Sequence, residues 1–450
     1  MDNEELAYNR ALDYLYSFID YSLKKETDLA KAEFKLERVR TLLARLGNPH
    51  RRYPILHVAG TKGKGSTSAL LASALTAAGY RTGLYTSPHL QDYAERIQLN
   101  GVPIPHGRLA ALVEEIRPHV EGIEKITTFE ITTALAFLYF AQEQADAAVI
   151  EVGLGGRLDA TNVVEPNVAV ITSISYDHMF VLGDTLAQIA AEKGGIIKPG
   201  VPVVSSPQKE EALEVLVRIA AERGSPFTLV GRDVLYQPLE HSLEGQTFSI
   251  VDSKDAEKSV ILRIPLLGLH QVENAATAYA ALKRSGLQVS EQGIWEGFAS
   301  VRWPCRFEIA RREPPLIFDV AHNEDSFLRL RQTLDEYYPG RPIVLLMGVS
   351  RDKVFPAMLA QIAPRLGHLV AIRSSHPRAL EAETIVETAK RLGVNAEAAP
   401  TVEAGLERAL ALSEADNALL LVAGSIFSTA EVKTAWEHRM AQSASKSVEK

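Results

Sequence analysis

Apolar residues recur at helical spacing at the start of the chain, at Tyr8, Leu12, Leu15, Tyr16 and Ile19. The pattern repeats at Phe34, Val39, Leu42, Leu43 and Leu46, until Gly47 and Pro49 stop it, so two helices are expected before Ile55. From Ile55 the pattern changes to a short apolar run, ILHVA, a glycine-rich turn, GTKGKGS, an Ala/Leu-rich helix and the strand RTGLYT. Strand, loop, helix, strand is the unit of a parallel sheet. Thr127-Thr128-Phe129-Glu130 reads as a capping box that opens the helix EITTALAFLYFAQE, and the runs DAAVIEV and NVAVITSI follow as strands. Apolar strands alternating with helices predict a parallel sheet covered on both faces. Between about 230 and 265 turn residues divide strand-like runs (HSLEGQTFSIVDSKDAEKSVILRIP), which predicts antiparallel hairpins appended to the same domain.

The stretch Arg302 to Glu308 (RWPCRFE) and the pair Pro314-Pro315 interrupt the helical pattern. We therefore expect a first domain over 1–301, a linker over 302–313 and a smaller Rossmann-like α/β domain over 314–440. The smaller domain would hold the strands LIFDVA, IVLLMGV, HLVAIRS and ALLLVAG and helices around 324–337, 353–363, 381–392 and 402–413. The tail 441–450 is expected to be disordered.

The 450 residues, 46% of them hydrophobic and 23% charged, have globular composition, which argues against collagen, disorder and disulfide scaffolds. Lys and Arg number 48 against 56 Asp and Glu, giving 48 − 56 = −8, and without a basic excess a duplex nucleic-acid partner is disfavoured. Cys305 is the single cysteine, so no intrachain disulfide can form and a reducing compartment fits. No apolar run approaches the ~18 residues a spanning helix needs, and the acidic start lacks the basic region of a signal peptide. A cytoplasmic, membrane-free protein is the expectation.

Candidate chemistry gathers at strand ends. Gly60-Thr61-Lys62-Gly63-Lys64-Gly65-Ser66 lies where a strand meets a helix, so its amides can cradle phosphates with Lys64 on the terminal ones. It departs from the usual phosphate loop: Val58 fills the first glycine position, and Gly65 stands where a hydroxyl would bind magnesium. Ser87, in Thr86-Ser87-Pro88-His89, could supply that hydroxyl. Glu151 ends its strand where phosphate-loop enzymes keep the metal-bound acid, and Asp177-His178 ends the next strand on the same edge. Lys193 closes a helix, where complementing its dipole is an equally good reading. His270 to Asn274 open a helix, where caps are the plain reading. Asp319, followed by His322-Asn323, ends a strand of the second domain, which could close over a nucleotide held by the first.

The motifs GTKGKGS, TSPHL with ERIQLNG, FEITTALAF, IEVGLGGRLDATN, SYDH, AEKGGIIKPG, GLHQVENAATA, WPCRFE and DVAHN follow one another from Gly60 to Asn323. This ordered set resembles the folylpolyglutamate synthase/dihydrofolate synthase family of the Mur ligase superfamily. The resemblance implies a phosphate-loop central domain of Mur-ligase type and an ATP-dependent ligase that adds L-glutamate to a reduced folate, or to dihydropteroate, through an acyl phosphate. By the same resemblance Ser87, Glu151 and His178 would hold magnesium, with two Mg²⁺ ions in all. Thr61, Lys62, Gly63, Lys64, Gly65 and Ser66 would wrap the phosphates, and Asn274, Arg306 and Asp319 would contact ATP. His322 would lie near the transferred phosphoryl group, and Lys193 would be carbamylated. Leu158, Asp159, Ala160 and the segment Ile126 to Phe129 would line the pteroate side. Lys62 departs from the family's usual Asn and Cys305 from a common Gly. A basic cluster with Arg378, in the loop His376-Pro377-Arg378, would guide the anionic glutamate, and a monomer is expected. Three competing readings are a peptidoglycan-precursor Mur ligase, which should lack TSPHL and ERIQLNG, a phosphate-loop ATPase switch, and a nucleotide-binding protein without turnover.

Overall fold

The computed structural model describes residues 3–20, 34–255 and 258–448. The chain forms two compact units, Met1–Pro265 with Leu269–Arg302, and Leu266–Gly268 with Trp303–Lys450. Among the described residues no helix is long and apolar enough to cross a membrane.

The first unit is built on an eight-stranded sheet. Its strands are β1 (Ile55–Ala59), β2 (Thr82–Tyr85), β3 (Ile97–Leu99), β4 (Val102–Pro103), β5 (Ala147–Glu151), β6 (Val168–Ile171), β7 (Val203–Ser205) and β8 (Phe227–Leu229). Their order is β4-β3-β2-β5-β1-β6-β7-β8, parallel from β2 to β8, with β3 and β4 added antiparallel at one edge. Every residue of β1, β5 and β6 is buried, as a sheet covered on both faces requires. The helix Lys64–Ala77 is itself buried along most of its length, with Leu70, Leu71 and Leu75 fully enclosed.

The N-terminal helix runs over Asn3–Tyr16 and turns Tyr8, Ala11 and Leu15 inward. The second helix, Leu36–Arg45, buries Val39, Leu42 and Leu43 in the same core. The Thr127 capping box opens Thr128–Gln142: the Thr127 hydroxyl accepts from the Glu130 amide and Glu130 from the Thr127 amide. Glu130 also accepts from Arg38 at 3.0 Å, fastening the second helix to the start of this one. The expected hairpins are three antiparallel strands, β9 (Val234–Ser242), β10 (Gly245–Asp252) and β11 (Ser259–Ile264), in order β11-β10-β9. The forked pair Arg284–Asp252, at 2.7 and 2.8 Å, ties them to the helix Leu269–Arg284.

The second unit holds β12 (Glu308–Arg312), β13 (Pro315–Phe318), β14 (Ile343–Met347), β15 (Leu366–Ala371), β16 (Ala396–Ala398) and β17 (Leu419–Ala423), in order β12-β13-β17-β14-β15-β16. All are parallel except β12. Helices Glu324–Tyr337, Phe355–Ile362, Ala382–Arg391 and Val402–Ala415 lie where expected. Two expectations are corrected. The stretch 302–313 is no free linker, because Glu308–Arg312 pairs with β13 as an edge strand, with Pro314 in the turn and Pro315 opening β13 opposite Arg312. Nor does helical structure end at 441: one helix, with no Pro or Gly inside it, runs over Ile426–Val448, and the rest of the expected tail, 449–450, lies outside the described residues.

Candidate active site

The parallel register places four strand ends side by side, in the order β2, β5, β1, β6. Glu151, the last residue of β5, is paired with Val58, and Ile171 of β6 with Ala59. The loops after all four strands therefore open on one edge of the sheet, the usual position of ligands in such folds.

After β1, Gly60 carries φ +150° and Gly63 φ +86°. A Cβ on Gly63 would lie 2.2 Å from Asn274 Oδ1, so only glycine lets the loop pass this close to the helix Leu269–Arg284. The amides of Thr61 and Lys62 donate to the Ser173 carbonyl at 2.9 and 3.1 Å, which pins the loop's start to the end of β6. The helix then begins at Lys64, and the amides of Lys64, Gly65 and Ser66 have no carbonyl behind them in the helix. This cradle, too narrow for a Cβ and lined with helix-start donors, fits phosphate oxygens.

Charges surround it. Lys62 Nζ pairs with Asp177 Oδ2 at 3.1 Å, both side chains being largely buried, so the lysine that departs from the family pattern is countered by a carboxylate. Lys193 is 4% exposed and its Nζ donates to the Gly60 carbonyl at 2.9 Å. Burial, then the charge of Lys64, pushes its ammonium down to about 7. Helix-dipole complementation alone does not place a lysine here.

Glu151, 5% exposed, accepts from the Ser87 amide at 3.3 Å, so the expected metal residues Ser87 and Glu151 are neighbours. His178 sits at φ +50° before the short helix Met179–Leu182, its side chain 39% exposed and Nε2 3.9 Å from Asp177 Oδ1. The described residues hold no cluster of three His, Cys, Asp or Glu side chains able to grip a metal. The Glu151 carboxylate and the neighbouring Ser87 hydroxyl are hard oxygen donors beside the phosphate cradle, a donor set of the kind Mg²⁺ takes.

Beside Glu151 the chain turns through Gly153-Leu154-Gly155-Gly156-Arg157-Leu158-Asp159-Ala160. The half-buried ring of Phe129 lies on this turn, because a Cβ on Gly153 would fall 2.6 Å from Phe129 Cζ. Asp159 is buried and takes donors from the Leu154 amide at 2.9 Å and from Thr161. Burial raises its carboxyl above the ordinary range and these hydrogen bonds oppose the rise. Ala160 is buried in the adjoining 3₁₀ turn, Leu158 is half-buried and Ile126 belongs to the core.

In the second unit Cys305 and Phe307 have φ of +54° and +51°, bracketing Arg306. Asp319 fastens this turn, accepting from the Phe307 amide at 2.9 Å and the Ala321 amide at 2.8 Å. Burial raises the Asp319 carboxyl, and the Arg306 charge opposes that. His322 Nδ1 lies 2.8 Å from the Val320 carbonyl, which fixes Nδ1 as the donor, and Asn323 forms a capping box with Ser326. Arg378 approaches Asp352 at 3.8 Å in a loop whose His376 stacks on Phe427. Sequence reasoning missed the pairing of Asp177 with Lys62; the lone added charge in the phosphate loop was the available signal.

The Mur ligase middle domain matches residues 58–282, and the Mur ligase glutamate ligase domain matches residues 305–426. The dihydrofolate synthase/folylpolyglutamate synthase of Bacillus subtilis (strain 168) is 33% identical over 438 residues, covering 95% of this chain and 98% of that protein. The folylpolyglutamate synthase of Mycobacterium tuberculosis complexed with ADP superposes with a TM-score of 0.86 at 30% identity, covering 96% of this chain and 98% of that one. Escherichia coli FolC in complex with DHPP and ADP gives 0.83 at 34%, covering 96% and 98%.

Proposed function

Because this chain belongs to the dihydrofolate synthase/folylpolyglutamate synthase family, we propose that it is an ATP-dependent ligase joining L-glutamate to the terminal carboxylate of a reduced folate, with dihydropteroate as a second acceptor. The observation that carries the reading is the single sheet edge on which the phosphate cradle, Ser87, Glu151 and the Phe129–Asp159 turn all open.

A carboxylate is a poor acyl donor. Transfer of the ATP terminal phosphoryl group to it gives an acyl phosphate and ADP, after which the glutamate amine attacks the acyl carbon, the amide forms and phosphate leaves. Little covalent chemistry falls to the protein, so positioning and charge stabilisation dominate. In this reading Lys64 and the amides from Thr61 to Ser66 hold the phosphates, and Asn274, Arg306 and Asp319 hold the rest of the nucleotide. His322 serves the transferred group, and Phe129, Leu158, Asp159 and Ala160 receive the pterin side. Arg378 draws in the glutamate carboxylates. Magnesium bound at Ser87 and Glu151, with His178 as a further candidate, would screen the phosphate charge. The depressed ammonium of Lys193 favours the neutral amine that adds CO₂, so its carbamylation belongs to this reading. The protein works as a cytoplasmic monomer.

The test is ADP release from Mg-ATP and glutamate with no pterin, with dihydropteroate and with tetrahydrofolate, alongside mass spectrometry of the products. A gain of one glutamyl unit on either acceptor supports the ligase. ADP released without any acceptor overturns it in favour of an ATPase switch.

A further inference from the structure

We infer that His57 is a positioning residue for the acceptor: acting through Thr161, it holds Asp159 and the Gly153–Ala160 turn in the shape that receives the pterin-bearing acid. This rests on the function proposed above.

His57 is the one polar residue of β1, and it is fully buried between Ile150 of β5 and Ala169 of β6. Packing alone would be served there by leucine or valine. Its Nε2 lies 2.9 Å from Thr161 Oγ1, and its Nδ1 is buried with no partner among the described residues. A buried nitrogen without a partner carries a desolvation cost, so its retention calls for a reason.

The hydrogen-bond directions supply one. Asp159 Oδ1 receives the Thr161 amide at 3.0 Å and the Thr161 hydroxyl at 2.6 Å, while Oδ2 receives the Leu154 amide at 2.9 Å. Both carboxylate oxygens thus act as acceptors. The one proton of the Thr161 hydroxyl is spent on Asp159, so its oxygen can only accept from His57, and the imidazole must be the neutral form protonated at Nε2. Burial pushes His57 down to about 3, which agrees with a ring that never takes the second proton. The bare Nδ1 is thus the consequence of placing an N–H donor behind Thr161. Loss of that donor frees the Thr161 hydroxyl to turn away from Asp159. The turn that Asp159 braces through Leu154, and with it Gly153 beneath the Phe129 ring, then loses its support.

Two variants separate this from a role in packing. In His57→Gln an amide N–H can replace the Nε2 donor, whereas His57→Leu keeps the bulk and removes it. For His57→Leu we expect the KM for the pterin acceptor to rise about tenfold, as the loss of one buried hydrogen bond implies, with the KM for ATP changed less than about twofold. His57→Gln should bring the acceptor KM back to within about threefold of wild type. Equal acceptor KM in the two variants, or a parallel rise in the KM for ATP, overturns the inference. Imidazole ¹⁵N spectra of the unaltered protein decide the tautomer even if a variant fails to fold: a bare Nδ1 supports the chain of bonds, and a protonated Nδ1 overturns it. A wild-type protein that ligates no pterin would sink the proposed function instead, with the tautomer still readable.

Discussion

Lys193 offers a measurement in which the electrostatics of the site can fail. Its ammonium is buried against the Gly60 carbonyl, and burial together with Lys64 lowers it from 10.5 to about 7. The unfolded chain keeps that proton over the range in which the folded chain has given it up. Below pH 7 both states hold it and the cost of burying the charge is fully felt; above 7 stability climbs by up to about 1.4 kcal/mol per pH unit, until the unfolded lysine also titrates near 10.5. From pH 7, where the folded lysine is half protonated, to pH 9, where it is neutral, the gain is about 2 kcal/mol. Lys193→Met preserves the length and apolar stem and has no proton to lose. Urea unfolding of both proteins at pH 7, 8 and 9, in buffer freed of CO₂ so that the amine stays unmodified, reads the difference. Methionine also forfeits the hydrogen bond to Gly60, but that offset does not vary with pH. Titration of Cys305 in the unfolded chain is common to both proteins and cancels. The stability of the methionine variant relative to wild type should fall by about 2 kcal/mol between pH 7 and 9. Parallel curves would refute the buried, depressed lysine.

Four further outcomes are expected. Lys64→Ala should abolish glutamate ligation with the fold intact by circular dichroism; full activity would remove Lys64 from the phosphate site. Gly63→Ala, whose Cβ would fall 2.2 Å from Asn274 Oδ1, should raise the KM for ATP more than about tenfold, and an unchanged value would contradict the close approach. Cys305→Gly should be more stable to urea than Cys305→Ala by about 1 kcal/mol, since both lack the thiol and only alanine must strain at φ +54°. His106 is partly buried, which lowers its pKa, but hydrogen bonds to Glu5 and Asp92 outweigh that and raise it above 6.5. Its stabilisation is thus full below 6.5 and lost as pH rises through the raised value. The thermal midpoint gap between wild type and His106→Gln should accordingly be wider at pH 6 than at pH 9.

What could be read from the sequence was whatever depends on neighbours along the chain. The strand-to-helix turn at Gly60, the Thr127 capping box and the helix Glu324–Tyr337 are local events, and each lies where the pattern of residues places it. Short pieces escaped: β3 and β4 span three and two residues, too few for an alternating pattern to register. The edge strand β12 was masked by the prolines that follow it, and the helix to Val448 by its polar surface, although Val432 and Trp436 are buried within it. In the site, Glu151 announced itself by ending an apolar run. The links from Lys62 to Asp177, Arg38 to Glu130 and His57 to Thr161 span 115, 92 and 104 residues; the added charge of Lys62 signals that a partner is needed, but no spacing along the chain says which residue it is.

The polypeptide changes unit three times, after Pro265, after Gly268 and after Arg302. As the chain leaves the ribosome, Leu266–Gly268 emerges ahead of the rest of its unit, and the helices Leu269–Arg284 and Glu291–Ser300 must still be made for the first unit. Neither unit is thus a continuous stretch of gene. A fragment beginning at Trp303 lacks the segment Leu266–Gly268 of its own unit, and a fragment ending at Pro265 lacks the helix that backs the phosphate loop. Fusions, truncations and split versions of this protein must keep residues 266–302 in one piece with both flanks, or each half will be made without part of its own unit.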